Sequence, residues 1–416
     1  MAYLVRTLDR ELDELLPLTS AIAIDGLKGV GKTETALRRS DTAWYLDNPA
    51  QRSIIEADFD LTSAPTGTLL IDEWQLLPQV WDSVRRDVDR GAAPGRFLLT
   101  GSATPASAGG THSGAGRILS LRMRPMALHE RGAAVPTVSI ADLLAGTQGE
   151  IRGDTTFTVV DYARAITSSG MPGIMSAPPR LQRGMLDAFL QRIIDRDLPD
   201  QGFTVRRPEV LRRWLAAYAA ATSTTTAYSR LLDATTAGDG SQPAKSTTIA
   251  YRDHLTRLWL LDPVPGWVPA NNQIRRLQQA PKHHLADPAL AARVLDLSDR
   301  ALLGPAGAHM MGPLFESLVA LGVRVAAQAA EATVSHLRTG NGNHEIDLIV
   351  QGVEGQILAI EAKLAAAVSD ADVRHVLWLR EQMPDRVVDL VVVTAGTTAY
   401  RRPDGVAVVP LALLGA

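Results

Sequence analysis

Residues 21–33, Ala-Ile-Ala-Ile-Asp-Gly-Leu-Lys-Gly-Val-Gly-Lys-Thr, constrain this chain more than any other stretch. Ala21 to Asp25 is apolar enough to be buried on both faces, as strands of a parallel sheet are. Gly26 to Thr33 then meets the full G-x-x-x-x-G-K-[ST] pattern between a strand and the start of a helix. The glycines let backbone N–H groups curl into an anion nest, and the following helix turns its positive end toward the same phosphates. Gly26, Lys28, Gly29, Val30, Gly31, Lys32, Thr33 and Glu34 are therefore the candidate nucleotide-binding residues. Lys32 is expected to reach the β- and γ-phosphates of ATP, and Thr33 to offer its hydroxyl to Mg2+. A plain glycine-rich turn is the bland alternative, and the length of the match disfavours it.

A chain of 416 residues is too long for one ordinary core, so two or three domains are expected. With 46% hydrophobic and 21% charged residues it reads as globular, and a net charge of -3 advertises no bulk nucleic-acid affinity. The absence of cysteine excludes disulfides, thiolate metal sites and a cysteine nucleophile. The acidic, interrupted start is unlike a signal peptide, and no apolar run is expected to approach the roughly 20 residues that span a bilayer. A cytoplasmic protein with no membrane association is the expectation.

Leu4, Leu8, Leu12, Leu15 and Leu16 recur at helical spacing, which predicts a helix packed on the nucleotide-binding sheet. A strand at 44–47 and a helix at 50–59 follow. Thr68 to Gln75 is an apolar strand whose carboxyl end, where ligands gather in open α/β sheets, carries Asp72 and Glu73. Asp72 is the expected second Mg2+ ligand, and Glu73 the base that orients the attacking water. A helix at 77–90, with Val80, Trp81, Val84 and Val88 inward, leads to a buried strand at 96–102. There Thr100 or Ser102 either contacts the γ-phosphate or its water, or merely ends a strand. The small-residue loop 104–116 reads as mobile, and Arg117 after it is a candidate for stabilising transferred phosphoryl charge, within its own chain or across a subunit interface.

The order of these motifs resembles the prokaryotic AAA-type ATPases that carry a C-terminal domain of unknown function. The residues that carry the likeness are Gly26 to Thr33, Tyr45 to Asp47, Asp72 to Gln75, Leu99 to Ser102, Gly116-Arg117 and Pro125 to Glu130. Downstream they are Ser169 to Pro172, Arg196 to Leu198 and Gly312 to Glu316. Departures are mild: Lys28 stands where arginine is usual, and Ser169 and Met171 replace glycine and phenylalanine. The resemblance implies an NTP-binding, AAA-like core.

Beyond the polar, Gly-rich stretch 146–154 the chain turns helical. Met185, Leu186, Phe189, Leu190, Ile193 and Ile194 form one stripe. Asp195, Arg196 and Asp197 at its end either contact nucleotide or brace an interface between domains, and bracing is favoured. Residues 208–260 read as two helices, a loop from 238 to 243, and a third helix at 247–261 with Ile249, Leu255, Leu258 and Trp259 inward. This order resembles a winged helix-turn-helix, with Lys245, Arg252 and Arg257 as candidate phosphate contacts to double-stranded DNA. A module that only binds protein is the more frequent alternative. Lys282-His283-His284 reads as a surface strand rather than a metal site, because adjacent strand residues face opposite sides.

Two runs, 344–350 and 356–363, form a hairpin, and alternation puts Glu361 and Lys363 on one face. With Asp347 across the hairpin and Glu316 from the preceding helix, the set resembles the Glu, Asp, Glu-x-Lys site of restriction-endonuclease-like folds. The resemblance implies carboxylates holding Mg2+ or Mn2+ and a lysine stabilising hydroxide, or else an inherited fold without cleavage.

The sequence thus predicts an α/β protein: a P-loop AAA-like parallel sheet over 1–150, a helical and winged-helix region over 151–270, and a small restriction-endonuclease-like α/β domain over 271–416. The expected activity is Mg2+-dependent ATP hydrolysis that switches the arrangement of the C-terminal parts. An ATP-gated nuclease and a non-enzymatic binding switch are the alternatives. Expected partners are ATP, duplex DNA or a protein, and a second copy of the chain.

Overall fold

The computed structural model describes residues 3–103, 114–235, 244–269, 280–340 and 342–416. Most of the loop expected at 104–116, and all of the one at 238–243, lie outside these residues. The N-terminal sheet has five strands, β1 (Ala21–Asp25), β2 (Thr42–Tyr45), β3 (Leu69–Asp72), β4 (Phe97–Gly101) and β5 (Leu119–Arg122). They run all parallel in the order β2-β3-β4-β1-β5, so β4 stands between the strand that carries the phosphate loop and the strand that carries the acids. All carboxyl ends lie on one edge. The register places Ile24 beside Thr100 and Asp25 beside both Gly101 and Arg122.

Alternation along the strands separates the two faces of this sheet. Ala21, Ala23, Leu69, Ile71, Phe97 and Leu99 pack against Val80, Trp81 and Val84 of the helix Gln79–Asp89. Ile22, Ile24, Leu70 and Leu98 point the other way, into a core that continues through the helical middle to the C-terminus. The helix Thr7–Leu15 contributes Leu8 and Leu12 to this shared core. It packs on the sheet as expected and also against the long helix Ala308–Ala329.

The C-terminal sheet has seven strands in the order β7-β12-β13-β11-β10-β9-β8. These are β7 (Gly153–Asp154), β8 (Thr333–Arg338), β9 (Glu345–Gln351), β10 (Ile357–Lys363), β11 (Val387–Thr394), β12 (Thr398–Arg401) and β13 (Ala407–Pro410). The predicted hairpin is β9–β10, paired Leu358 to Val350 and Ile360 to Leu348. The helix Asp370–Gln382 covers one face, with Val373, Val376 and Leu379 buried, and Ala308–Ala329 covers the other. The latter corrects the reading that no apolar run approaches membrane-spanning length. Its 22 residues are long and apolar enough, but 72% of its most apolar window is buried inside the protein, which makes it a core helix.

Short strands tie the chain's middle to its end. β7 pairs with β12, and β6 (Val138–Ser139) pairs with β14 (Leu414–Gly415). The expected boundary at residue 150 therefore falls between two segments that both pair with the last twenty residues. A buried charge cluster adds a second tie. Arg122 and Arg124, at the end of β5, and Arg324, from the long helix, converge on Asp262 at 2.9, 2.9 and 2.8 Å.

The middle is helical, and three expectations there are corrected. The stripe at 184–196 is a helix, Pro179–Arg192, that continues as a π-helical turn, Ile193–Asp197, with only Leu186, Ile193 and Ile194 buried from the predicted set. Three helices follow, Pro208–Ala220, Tyr228–Ala234 and Lys245–Arg257, and then antiparallel bridges Leu261 to Leu285 and Val264 to Lys282. The third helix buries Thr248, Tyr251 and Leu255, while Ile249, expected inward, is exposed. Lys282, His283 and His284, expected on a surface strand, are all buried beneath the second bridge.

Candidate active site

The loop after β1 has the backbone that its glycines permit. A Cβ on Gly26 would lie 2.1 Å from the Met123 carbonyl oxygen, so no other residue fits there without moving the backbone just after β5. Gly31 adopts the left-handed region, φ 103°, immediately before the helix Lys32–Leu37. Behind the loop, the buried Arg6 donates to the Val30 carbonyl at 2.8 Å and to the Arg124 carbonyl at 2.8 Å, and pairs with Glu130 at 3.2 Å. Sequence reading missed Arg6. Its partner Glu130 closes the Pro125-to-Glu130 motif, but nothing local links the two, more than a hundred residues apart.

Lys32 is buried and turns back on its own loop, donating to the carbonyls of Gly26 at 2.8 Å and Leu27 at 3.0 Å. Burial pushes its ammonium down to about 8, against the pull of Glu73, Asp72 and Asp25. An anion that displaced these carbonyls would restore its charge. Thr33 donates to Asp72 at 2.8 Å, and Thr100 also donates to Asp72. Burial raises the Asp72 carboxyl above its ordinary range, opposed by these two hydroxyls. A hydroxyl and a carboxylate already side by side at the end of the phosphate loop are the oxygen donors a hard divalent cation takes, so the residues fit Mg2+. Asp25, beside them, is pushed by burial up to about 6, with Lys32 pulling the other way.

Glu73 holds a left-handed backbone, φ 57° and ψ 45°, which is uncommon outside glycine and clusters at functional sites. Its carboxylate accepts from Ser102 at 2.6 Å and from Gln75, and Gln75 also donates to Ser102 at 3.1 Å. The two hydroxyls at the end of β4 thus hold the two acids: Thr100 holds Asp72 and Ser102 holds Glu73. That pairing follows from β4 lying next to β3, which sequence alone does not show.

Arg117 lies elsewhere. β5 runs parallel to β1 with Leu119 beside Ile22, which sets Arg117 level with residue 20, roughly 16 Å of strand before the loop begins. It pairs with Asp89 at 2.9 Å on an exposed edge. The expectation that it serves the phosphates of its own chain is corrected, because it sits at the amino ends of the strands. Glu34, on the first turn of the loop's helix, is exposed and pairs with Arg38 at 3.6 Å.

A cleft of about 1040 Å³ opens beside the loop. Lys28, Asp72, Glu73 and Ser102 line one side, and Arg192 and Asp197 of the helical middle line the other. Lys28 reaches Asp197 across it at 3.4 Å. The π-helical turn therefore forms a wall of the cleft, and π-bulges recur at functional sites.

The four side chains of the second predicted site are also brought together. Glu361 and Lys363 lie 3.3 Å apart, and Asp347 accepts from the backbone of Ala362 at 3.0 Å. Glu316 joins them through a residue that sequence reading placed outside, Lys282, whose ammonium touches both Glu316 and Asp347. Burial works against the Lys282 charge, yet Asp347 and Glu316 hold it above the ordinary lysine range. Burial raises the Glu316 carboxyl to about 8, and raises Glu361 well above its usual range. Burial alone would raise Asp347, but Lys282 and the hydrogen bonds from Glu361 and the Ala362 backbone together hold it well below the usual range. Among the described residues, no three His, Asp or Glu side chains stand in an arrangement that could hold a metal ion.

Residues 19–131 match the family described as an AAA domain, and residues 311–414 match a domain of unknown function, DUF4143. A further domain of unknown function, DUF8612, matches 160–301. The chain thus carries an AAA-type P-loop ATPase domain joined to a C-terminal domain of unknown function. Its relatives include the uncharacterized proteins Mb2031c of Mycobacterium bovis and Rv2008c of Mycobacterium tuberculosis, each 25% identical over 311 residues, covering 72% of this chain. The match spans 62% of the length of these relatives. Among solved structures, a Walker-type ATPase of Pyrococcus abyssi is 13% identical, with 69% of this chain and 94% of that one covered and a TM-score of 0.39. Drosophila ORC bound to DNA is 15% identical, with 63% and 87% covered and a TM-score of 0.24. Neither score establishes a shared whole-chain architecture.

Proposed function

We propose that the protein binds ATP at residues 26–34 and hydrolyses it, and that nucleotide state changes how the helical middle sits against the ATPase sheet. The observation that carries this reading is the meeting of Lys32, Thr33, Asp72 and Glu73 at the carboxyl edge of one parallel sheet, with Ser102 and Gln75 fixing Glu73. The backbone N–H groups of the loop and Lys32 hold the phosphates. Thr33 and Asp72 hold Mg2+, which neutralises phosphate charge when bound. Glu73 orients the attacking water and takes its proton.

The cleft supports the switching step. Lys28 of the loop and Asp197 of the π-helical turn form an exposed pair across it, and a triphosphate entering beside Lys28 competes with Asp197 for that ammonium. Exposed pairs are weak, worth about 1 kcal/mol or less, so such competition is energetically feasible. Asp195, Arg196 and Asp197 accordingly act as the brace that nucleotide loosens.

For the C-terminal parts a protein partner is the favoured reading over duplex DNA. On the third helix of the winged-helix-like middle, Arg252 is paired with Asp253 at 2.8 Å and lies over Tyr228, leaving exposed Lys245 and partly exposed Arg257 as candidate phosphate contacts. Residence in the cytoplasm and action of Arg117 on a neighbouring copy complete the proposal. Calorimetry tests its first step: ATP binds the whole chain, and Lys32→Ala abolishes tight binding. Unchanged affinity in that variant refutes the assignment. Steady-state hydrolysis with and without duplex DNA separates the partners, since stimulation by DNA contradicts the protein-partner reading.

A further inference from the structure

The carboxylates at the C-terminal site face a cation that the chain itself supplies. Lys282 Nζ lies 2.6 Å from Asp347 Oδ1, 2.9 Å from Glu316 Oε1 and 3.4 Å from Glu345 Oε1. An ammonium has three donors and no acceptor, and here it donates to Asp347 and Glu316 while Glu345 stands at ion-pair distance. These oxygens come from the long helix and from β9, while Lys282 arrives from the segment after residue 280. Its backbone is fixed by reciprocal hydrogen bonds with Val264, both 2.9 Å, and its side chain is 1% exposed. The ammonium cannot swing into solvent while that bridge holds.

The niche is also one that a second cation finds occupied. Hard divalent ions take several carboxylate oxygens at about 2.0 to 2.6 Å, and the oxygens suited to that role are already turned toward Lys282. Lys363 approaches from the other side, 3.3 Å from Glu361 Oε2. The Glu361 carboxyl is 3% exposed and also lies in hydrogen-bond contact with Asp347, so it too is turned into the cluster.

We infer that Lys282 is the resident cation of this niche, standing in the place a divalent metal would take, and that Mg2+ or Mn2+ enters only once the lysine is removed. In the native chain the cluster then ties the bridge between Val264 and Lys282 to the long helix and the C-terminal sheet as a permanent ionic contact, and it does not cut DNA with a metal ion. The Lys282 ammonium is what turns a nuclease-like set of acids into a structural contact.

Mn2+ binding to the full-length chain without nucleotide, followed by paramagnetic resonance of the free ion, tests this. Wild-type protein is expected to show no Mn2+ site that Asp347→Asn removes, and sites indifferent to that change belong to the nucleotide cleft. Lys282→Ala is expected to gain one site at least tenfold tighter, lost again in Lys282→Ala combined with Asp347→Asn. A wild-type Mn2+ site abolished by Asp347→Asn overturns the inference. So does Lys282→Ala that binds ATP normally yet gains no Mn2+. If Lys282→Ala fails to fold, Lys282→Gln, which keeps most of the side-chain volume, takes its place, and a wild-type Mn2+ site abolished by Asp347→Asn still overturns the inference.

Discussion

Replacing Asp262 with asparagine keeps the shape of the side chain and removes the one anion that Arg122, Arg124 and Arg324 share. Asp262 is 4% exposed, and its three partners come from the end of the ATPase sheet and from the long C-terminal helix. Burial alone would raise its carboxyl, but the three guanidinium groups together hold it well below the carboxylate range. Even with that anion present, burial lowers Arg122 to about 10 and Arg324 to about 9. Breaking a buried ion pair by removing one partner costs about 3 to 5 kcal/mol. Here several cations lose one anion, so about 5 kcal/mol is expected. Thermal unfolding followed by calorimetry should show the transition that carries this interface at least about 6 °C lower, taking roughly 2 °C per kcal/mol for a large domain and discounting for separate transitions. The sign of its pH dependence is also fixed. Arginines with depressed pKa values bind fewer protons folded than unfolded, so stability rises with pH through their titration. The variant lowers those values further, and its deficit should shrink between neutral pH and about pH 10. A midpoint within about 2 °C of wild type, or a deficit that grows with pH, would refute the reasoning.

Three more predictions concern the nucleotide site. Because burial holds Lys32 down at about 8 and phosphates favour its charged form, ATP binding should take up about half a proton at pH 8 and weaken as pH rises beyond it. Calorimetry in buffers of differing ionisation enthalpy checks this, and binding without proton uptake contradicts it. Ser102→Ala removes the 2.6 Å bond that fixes Glu73 and should lower turnover roughly tenfold while ATP affinity stays within about twofold. Weakened ATP affinity with turnover unchanged would assign Ser102 to ground-state binding instead. Arg117→Ala should leave turnover within about twofold in dilute protein, where no neighbour is at hand; a tenfold loss there would place the residue at its own chain's phosphates after all.

What could be read in advance was what local chemistry writes into consecutive residues. The phosphate loop, the apolar strands before it and before Asp72, and the β9–β10 hairpin each carry their own pattern, so their positions were legible. That Arg117 lies away from its own chain's phosphates was not legible, because its distance from the loop depends on the parallel register of β5 with β1, which no local pattern records. The strands β6 and β7 are two residues long, too short for any periodicity, and they form only because the C-terminus lies beside them. Lys282 to His284 look like a polar surface strand, and their burial depends on Asp347, Glu316 and the Thr226 carbonyl waiting for them. Polar residues inside a core are predictable only when their partners are known.

Steady-state ATP hydrolysis by the full chain with Mg2+, comparing wild type with Glu73→Gln and with ATP affinity measured alongside, tests the central claim most directly. The account predicts measurable turnover that falls at least about 100-fold in Glu73→Gln while ATP still binds, the scale expected for loss of a positioned base. Turnover in Glu73→Gln within about twofold of wild type, or wild-type turnover no greater than that of Lys32→Ala, would contradict it.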